Sequence, residues 1–130
     1  MSAYSRSSLA AYRSVAAHGG VAAADPHQLI VMLMDGVLER VAAARGAIEH
    51  GSAEAKARLL HQAVSIVDEL RASLNMAAGG DIAANLADLY DYIARQLTRA
   101  NAENRTELLD EVVNLIREVR GAWIQIAPRP

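Results

Sequence analysis

The sequence predicts an all-α protein: an antiparallel up-down-up-down four-helix bundle preceded by a flexible N-terminal arm. Three observations lead there. Apolar residues recur at helical spacing in four blocks of about 20–25 residues. The blocks open on helix-start signals, and the links between them are too short for anything but antiparallel neighbours. Composition agrees, because 52% of the 130 residues are hydrophobic while Phe is absent and Trp occurs once. Alanine supplies much of that fraction, which suits closely packed helices better than a sheet rich in β-branched and aromatic residues.

Residues 1–24 are small and polar, with Arg6 and Arg13 but no acid before Asp25. Leu9, Tyr12 and Val15 share one face of a short helix, yet alone they bury too little area to hold it. This segment is expected to be a mobile arm able to form a short extra helix, with residues 25–130 as the bundle. Asp25-Pro26 is a start signal, Asp as N-cap and Pro at the first helical position. The first helix is expected over about 26–49. Its run Leu29–Met34 is the most hydrophobic in the chain, and its apolar positions span roughly 200° of arc. A surface helix needs a stripe only a little over 100° wide, so this helix is expected to be enclosed by the others.

His50-Gly51-Ser52 ends that helix, and Ser52 is expected to cap a second one over about 53–76, with Glu54 favouring the dipole in its first turn. Leu59, Leu60, Ala63, Ile66, Val67, Leu70 and Leu74 form its stripe. Ala77-Ala78-Gly79-Gly80 breaks the pattern before a third helix over about 81–102, whose face carries Ile82, Leu86, Leu89, Tyr90, Ile93 and Leu97. Asn104-Arg-Thr-Glu107 resembles a capping box. The fourth helix, over about 105–124, buries Leu108, Leu109, Val112, Leu115, Ile116, Val119 and Trp123 before Pro128 and Pro130 stop it.

Several function classes are disfavoured. With no Cys there is no disulfide, thiolate metal site or cysteine nucleophile. The net charge of −2 comes from interspersed charges, unlike the clustered basic face of a nucleic-acid binder. No apolar run approaches the ~20 residues of a membrane span, and no apolar core follows a basic start as in a secretory signal. A cytoplasmic protein without membrane insertion is expected. His18, His27, His50 and His61 are scattered, and no inward-facing Glu-x-x-His pair of a di-metal bundle occurs. The acids lie on polar faces, where solvation alone accounts for them. No enzyme activity, metal or cofactor is expected. One alternative is a histidine phosphotransfer domain using His61, although Gln62-Ala63-Val64-Ser65 lacks the neighbouring Lys and Gly usual there.

What remains is apolar surface beyond the needs of one core. Met32, Tyr92, Val113 and Ile124 fall off their helices' stripes, which suggests grooves that receive a partner segment. A structural bundle that self-associates through these residues, as a weak homodimer, is the second alternative.

Long motifs point to a family. Tyr12-x-x-Val15 is followed by Asp25-Pro-His-Gln-Leu-Ile-Val-Met-Leu-Met-Asp-Gly36 and Ala44-x-x-Ala47-Ile48. Then come Gly79-Gly80-Asp-Ile-Ala-Ala-Asn-Leu-x-x-Leu-Tyr-Asp-Tyr92-Ile, Leu97-x-x-Ala-Asn101 and Glu111-Val-x-x-Leu-Ile-x-Glu-Val-Arg-x-Ala-Trp123. Over about residues 12–124 the chain resembles the flagellar secretion chaperones of the FliS family. Asp25 stands where that family usually has Ser, and Met34 where it usually has Tyr.

The resemblance implies a non-enzymatic cytoplasmic chaperone that binds the disordered C-terminal segment of flagellin. It prevents premature polymerisation and presents the cargo to a component of the flagellar type III export gate, and its arm covers part of the binding surface until cargo arrives. The expected partner-binding residues are Leu9, Tyr12, Leu29, Met32 and Met34 from the arm and first helix, with Leu89, Tyr92, Val113, Trp123 and Ile124 from the third and fourth. For Leu29, Leu89 and Trp123 the competing expectation is core packing, whereas Tyr92 and Ile124 are expected at the surface.

Overall fold

A computed structural model describes residues 25–126, so the expected arm, with Leu9 and Tyr12, lies outside the described residues. Among the described residues four helices follow one another: α1 Pro26–Glu49, α2 Ala53–Ala72, α3 Met76–Glu103 and α4 Thr106–Gln125. Each packs on its neighbours in sequence, and α1 closes the ring against α4. The all-α bundle is therefore the architecture that the apolar periodicity predicts.

The ends of α1 show how local chemistry sets the boundaries. The Asp25 side chain accepts a hydrogen bond from the His27 amide at 3.0 Å, satisfying one of the donors that a helix start leaves free. At the other end Gly51 adopts φ 74°. The Ser52 and Gly51 amides return to the Ala47 and Ile48 carbonyls at 2.8 and 3.2 Å. This is a Schellman stop, and glycine is the residue that takes its left-handed position without strain.

Several boundaries differ from the expectation. Ser52 occupies the N-cap position of α2 but makes no side-chain capping bond. Helix α2 ends at Ala72 because Ser73 turns its hydroxyl back to the Leu70 carbonyl, at 2.6 Å. Asn75 then starts α3 by accepting from the Ala78 amide at 3.0 Å. Residues 76–79 thus form a helical turn, and the break falls on Gly80 alone (φ 53°, ψ −130°). Nor does Asn104 begin a capping box. It terminates α3 in the left-handed region (φ 54°), and α4 starts after Arg105 without a side-chain cap. The Asn104 amide oxygen instead accepts from Lys56 Nζ at 2.6 Å, and the same ammonium donates to the Asn101 carbonyl at 2.8 Å. A buried lysine from α2 therefore neutralises the negative end of α3.

The core fills the ring with Leu33, Met34, Val37 and Val41 from α1, Leu60, Ile66, Val67 and Leu70 from α2, Tyr90, Ile93 and Leu97 from α3, and Leu109, Val112 and Ile116 from α4. Burying each large side chain contributes about 1.5–3 kcal/mol, which makes this core the dominant stabilising term. Gly36 lets α2 approach α1, since a Cβ there would sit 3.2 Å from Ile66 Cδ1. Helix α1 is not enclosed by all the others as its wide arc suggested. It packs chiefly on α2 and α4, and the surplus apolar arc near its N-terminus has another use.

Asn104 supplies both a left-handed backbone and the acceptor for Lys56. Asn104→Ala is expected to lower stability in urea denaturation by about 1–2 kcal/mol, and Asn104→Gly by less because glycine keeps the backbone unstrained. Equal losses for the two variants would assign the whole effect to the Lys56 contact.

Candidate functional site

In an up-down-up-down bundle the start of α1, the end of α2, the start of α3 and the end of α4 meet at one end. There the helices leave an open groove of about 870 Å³. One wall comes from α1 and α4, through His27, Leu29, Ile30, Trp123 and Ile126. The facing wall comes from the α2–α3 corner, through Leu74, Asn75, Ala78, Gly79, Ile82 and Leu86. Leu33, Met34 and Tyr90 belong to the core and also line the groove, so they form its floor.

The first wall is fixed by a reciprocal clasp. The rings of His27 and Trp123 stack with centroids 4.9 Å apart and 11° between planes. Trp123 Nε1 donates to the His27 carbonyl at 3.0 Å, and His27 Nε2 lies 2.7 Å from the Trp123 carbonyl. A carbonyl oxygen only accepts, so Nε2 carries the proton in this contact. Eight residues along α1 and three back along α4, Arg120 donates to both carboxylate oxygens of Asp35, at 2.7 and 3.4 Å.

The polar groups around the groove are committed to the fold. Asp25 and Asn75 cap helices, and Ser73 bonds the Leu70 carbonyl. Burial pushes the Tyr90 hydroxyl above the ordinary phenol range. Among the described residues no group of His, Asp and Glu is arranged to hold a metal ion. Such a surface offers hydrophobic contact and shape, with a few polar groups at its edges, which suits the apolar side of a peptide segment.

The ten expected binding residues divide. Leu29, Met34 and Trp123 come together in the groove. Met34, at 1% exposed, belongs to the floor, whereas Leu29 and Trp123 are half-buried in the wall. Met32 (39% exposed) and Ile124 (45%) do not line it. Met32 precedes Asp35 by three residues and Ile124 follows Arg120 by four, so both flank that ion pair on the outer α1–α4 seam. Leu89 and Val113 are half-buried against the core.

Tyr92 is not the open surface position expected of it. It is half-buried, and its hydroxyl donates to Glu111 Oε2 at 2.7 Å across the α3–α4 seam. Gln96 Nε2 donates to the other oxygen, Oε1, at 2.9 Å. The bonds from Gln96 and Tyr92 hold the Glu111 carboxyl below the usual glutamate range, and the bond to Glu111 pushes the Tyr92 hydroxyl up. His61, the candidate for phosphotransfer, is exposed on α2 and takes no part in the groove.

Sequence reasoning missed His27, Ile30, Ile82 and Ile126. Ile82 is 74% exposed and Ile126 61% exposed, although both line the groove. The signal was present in one case: Ile82 sits two residues after Gly80, where α3 is not yet covered by its neighbours.

The fold and site define a class, a helical bundle with an open apolar cleft at one end. Residues 8–130 match the family model described as flagellar protein FliS. The chain is 42% identical to a flagellar secretion chaperone FliS of Vibrio cholerae, over 95% of this chain and 90% of the relative. It is 41% identical to the FliS of Salmonella typhimurium, over 97% and 94% respectively. It is also 42% identical to the flagellar secretion chaperone FliSB of Pseudomonas aeruginosa, over 92% and 95%. The chain therefore belongs to the FliS family of flagellar secretion chaperones.

The clasp has a direct spectroscopic readout because Trp123 is the single tryptophan. His27→Ala is expected to shift its emission to the red as the indole gains water, while stability falls by about 1–2 kcal/mol for the lost stacking and hydrogen bond. An unchanged spectrum would mean the ring stays in place without its partner.

The depressed acidity of Glu111 gives a second test. Its folded-state value lies below the unfolded one, so its stabilisation is full above the unfolded glutamate range and fades as pH falls through the folded value. The stability advantage of wild type over Glu111→Gln is expected to be constant near neutrality and to shrink on acidification below the ordinary carboxylate range. An advantage that grew on acidification would reverse the sign.

Proposed function

We propose that this chain is a cytoplasmic export chaperone that binds the disordered C-terminal segment of flagellin. Binding prevents premature polymerisation, and the complex delivers the cargo to a component of the flagellar type III export gate. The observation that carries this reading is the open apolar groove, whose rim leaves Ile82 and Ile126 in water in the free chain. A segment that orders on binding loses conformational entropy, and broad apolar contact compensates for it. Family membership supplies the flagellar context. No helix among the described residues is long and apolar enough to cross a membrane, which is compatible with this reading.

In this reading the groove seats one helical stretch of the cargo by its apolar face. The rest of the segment runs on along the bundle. Met32 and Ile124 on the outer α1–α4 seam receive one part of it, and Leu89, Tyr92 and Val113 at the α3–α4 side another. Leu9 and Tyr12 in the N-terminal segment complete the partner-binding set. Within the groove Leu29 and Trp123 make contact, and Met34 supports them from below.

Ile82 gives the sharpest test because it is exposed and its replacement removes no core packing. In calorimetry with the flagellin C-terminal segment, Ile82→Glu is expected to weaken binding about tenfold or more, with little change in melting temperature. Unchanged affinity would remove the groove from the cargo site. Tyr92→Phe tests the other face: it keeps the ring and loses only the bond to Glu111, so a change in affinity would report that seam.

A further inference from the structure

The two walls of the groove are built differently. The α1–α4 wall is tied by the His27–Trp123 clasp and the Asp35–Arg120 pair. The facing wall rests on the turn Met76–Gly79, whose two starting bonds both return to Asn75: Ala78 N to the side-chain oxygen at 3.0 Å, and Gly79 N to the carbonyl at 2.7 Å. Among the described residues, no hydrogen bond or ion pair joins the segment from Leu74 to Ala83 to α1 or α4. The turn is a small self-contained unit.

Its junction with the body of α3 is Gly80, at φ 53° and ψ −130°. That backbone region is open essentially to glycine alone. The preceding residue is constrained in another way, because a Cβ on Gly79 would lie 2.6 Å from the Cβ of Ala83 one turn along. Both would be rigid first atoms of side chains, so any side chain at 79 tilts the turn away from α3. Gly79 thus rests directly on Ala83, a groove residue. On either side of the junction Met76 and Ile82 are exposed.

We propose that Met76–Gly79 is a flap that pivots at Gly80: it swings out to admit the segment and returns over it to the position described here, where the Gly79–Ala83 contact is the stop. Gly79 and Gly80 are then positioning residues of the binding site, acting through the wall they place. This rests on the groove being the cargo site. A closed flap buries Met76 and Ile82 against the segment, so it governs how long the cargo stays more than how fast it arrives.

The full chain and the flagellin C-terminal segment test this by two readouts. In hydrogen exchange, amides 76–82 of the free chain are expected to exchange faster than those of Ala83–Ala100, and to gain about tenfold protection or more when the segment is bound. In binding kinetics Gly79→Ala is expected to raise the dissociation rate about tenfold and leave the association rate within about threefold. Gly79→Ala combined with Ala83→Gly removes the overlap and is expected to bring dissociation back toward that of Ala83→Gly alone. Circular dichroism of each variant checks that the bundle is folded. A wild-type chain that binds the segment with no added protection at 76–82, or a folded Gly79→Ala with wild-type dissociation, overturns the flap and leaves the cargo reading standing. A wild-type chain that does not bind the segment overturns both.

Discussion

The closure of α1 on α4 is the constraint on which the rest depends. The other seams join helices linked by two to three residues, so they form almost as soon as the helices do. The α1–α4 seam joins groups 96 residues apart, His27 and Trp123. It therefore bears the largest loop-closure entropy in the bundle. Two hydrogen bonds at about 0.5–1.5 kcal/mol each, a stacked pair at about 0.5–1.5 and a half-exposed ion pair at about 0–1 do not hold such a closure alone. The burial of Val37, Val41, Val112 and Ile116 is the larger contribution. The clasp does something that burial cannot: it fixes the register and tilt of the last turn of α4, and hence the position of the groove wall.

The two ends of the bundle are finished in opposite ways. Away from the groove, polar side chains seal the helix termini. Lys56 spans to Asn101 and Asn104, Arg45 reaches the Thr106 carbonyl and Asp110, and Arg105 bridges Glu103 and Glu107. At the groove end the caps are short, from Asp25 and Asn75, and they leave the apolar faces of the first and last turns uncovered. Helix α2 stops at Ala72, so at this level the corner Ser73–Asn75 and the following turn of α3 stand in its place. A bundle in which one helix stops about a turn short loses part of a wall of its core at that end, and the groove is the result.

This explains how much the sequence made legible. Apolar periodicity reports which face of a helix is non-polar, and that was enough for the four helices and the ring. It does not report how deep each residue lies along the axis. Leu29 and Val37 look alike in the pattern, yet one lines an open groove and the other is fully buried. Trp123 read as either core or contact, and it is half-buried in the groove wall. Leu74 continued the stripe of α2 although the helix had ended, because a side chain can pack against the core from a turn as well as from a helix. Asn104 looked like an N-cap because the same short polar side chain serves a left-handed C-cap. Nothing in the local pattern around His27 marked a partner so distant in the chain.

Depth also settles what the unusual Met34 does. The resemblance puts Tyr at this position, and a buried Tyr needs a partner for its hydroxyl. Met34 is fully buried in the floor, next to the rim positions Leu29 and Ile30 of the same helix. It has no polar atom to satisfy, and its flexible thioether fills whatever shape the wall leaves. Met34 therefore acts on the shape of the floor and leaves the accessible surface of the groove to the half-buried Leu29 and Trp123 and the exposed Ile82 and Ile126. Replacing a floor residue disturbs fold and binding together, because the atoms that shape the groove are core atoms. Replacing a rim residue such as Ile82 separates the two, since the fold has already been paid for by the layers beneath. In the proposed reading, binding is a property of the rim, and the core determines only where that rim stands.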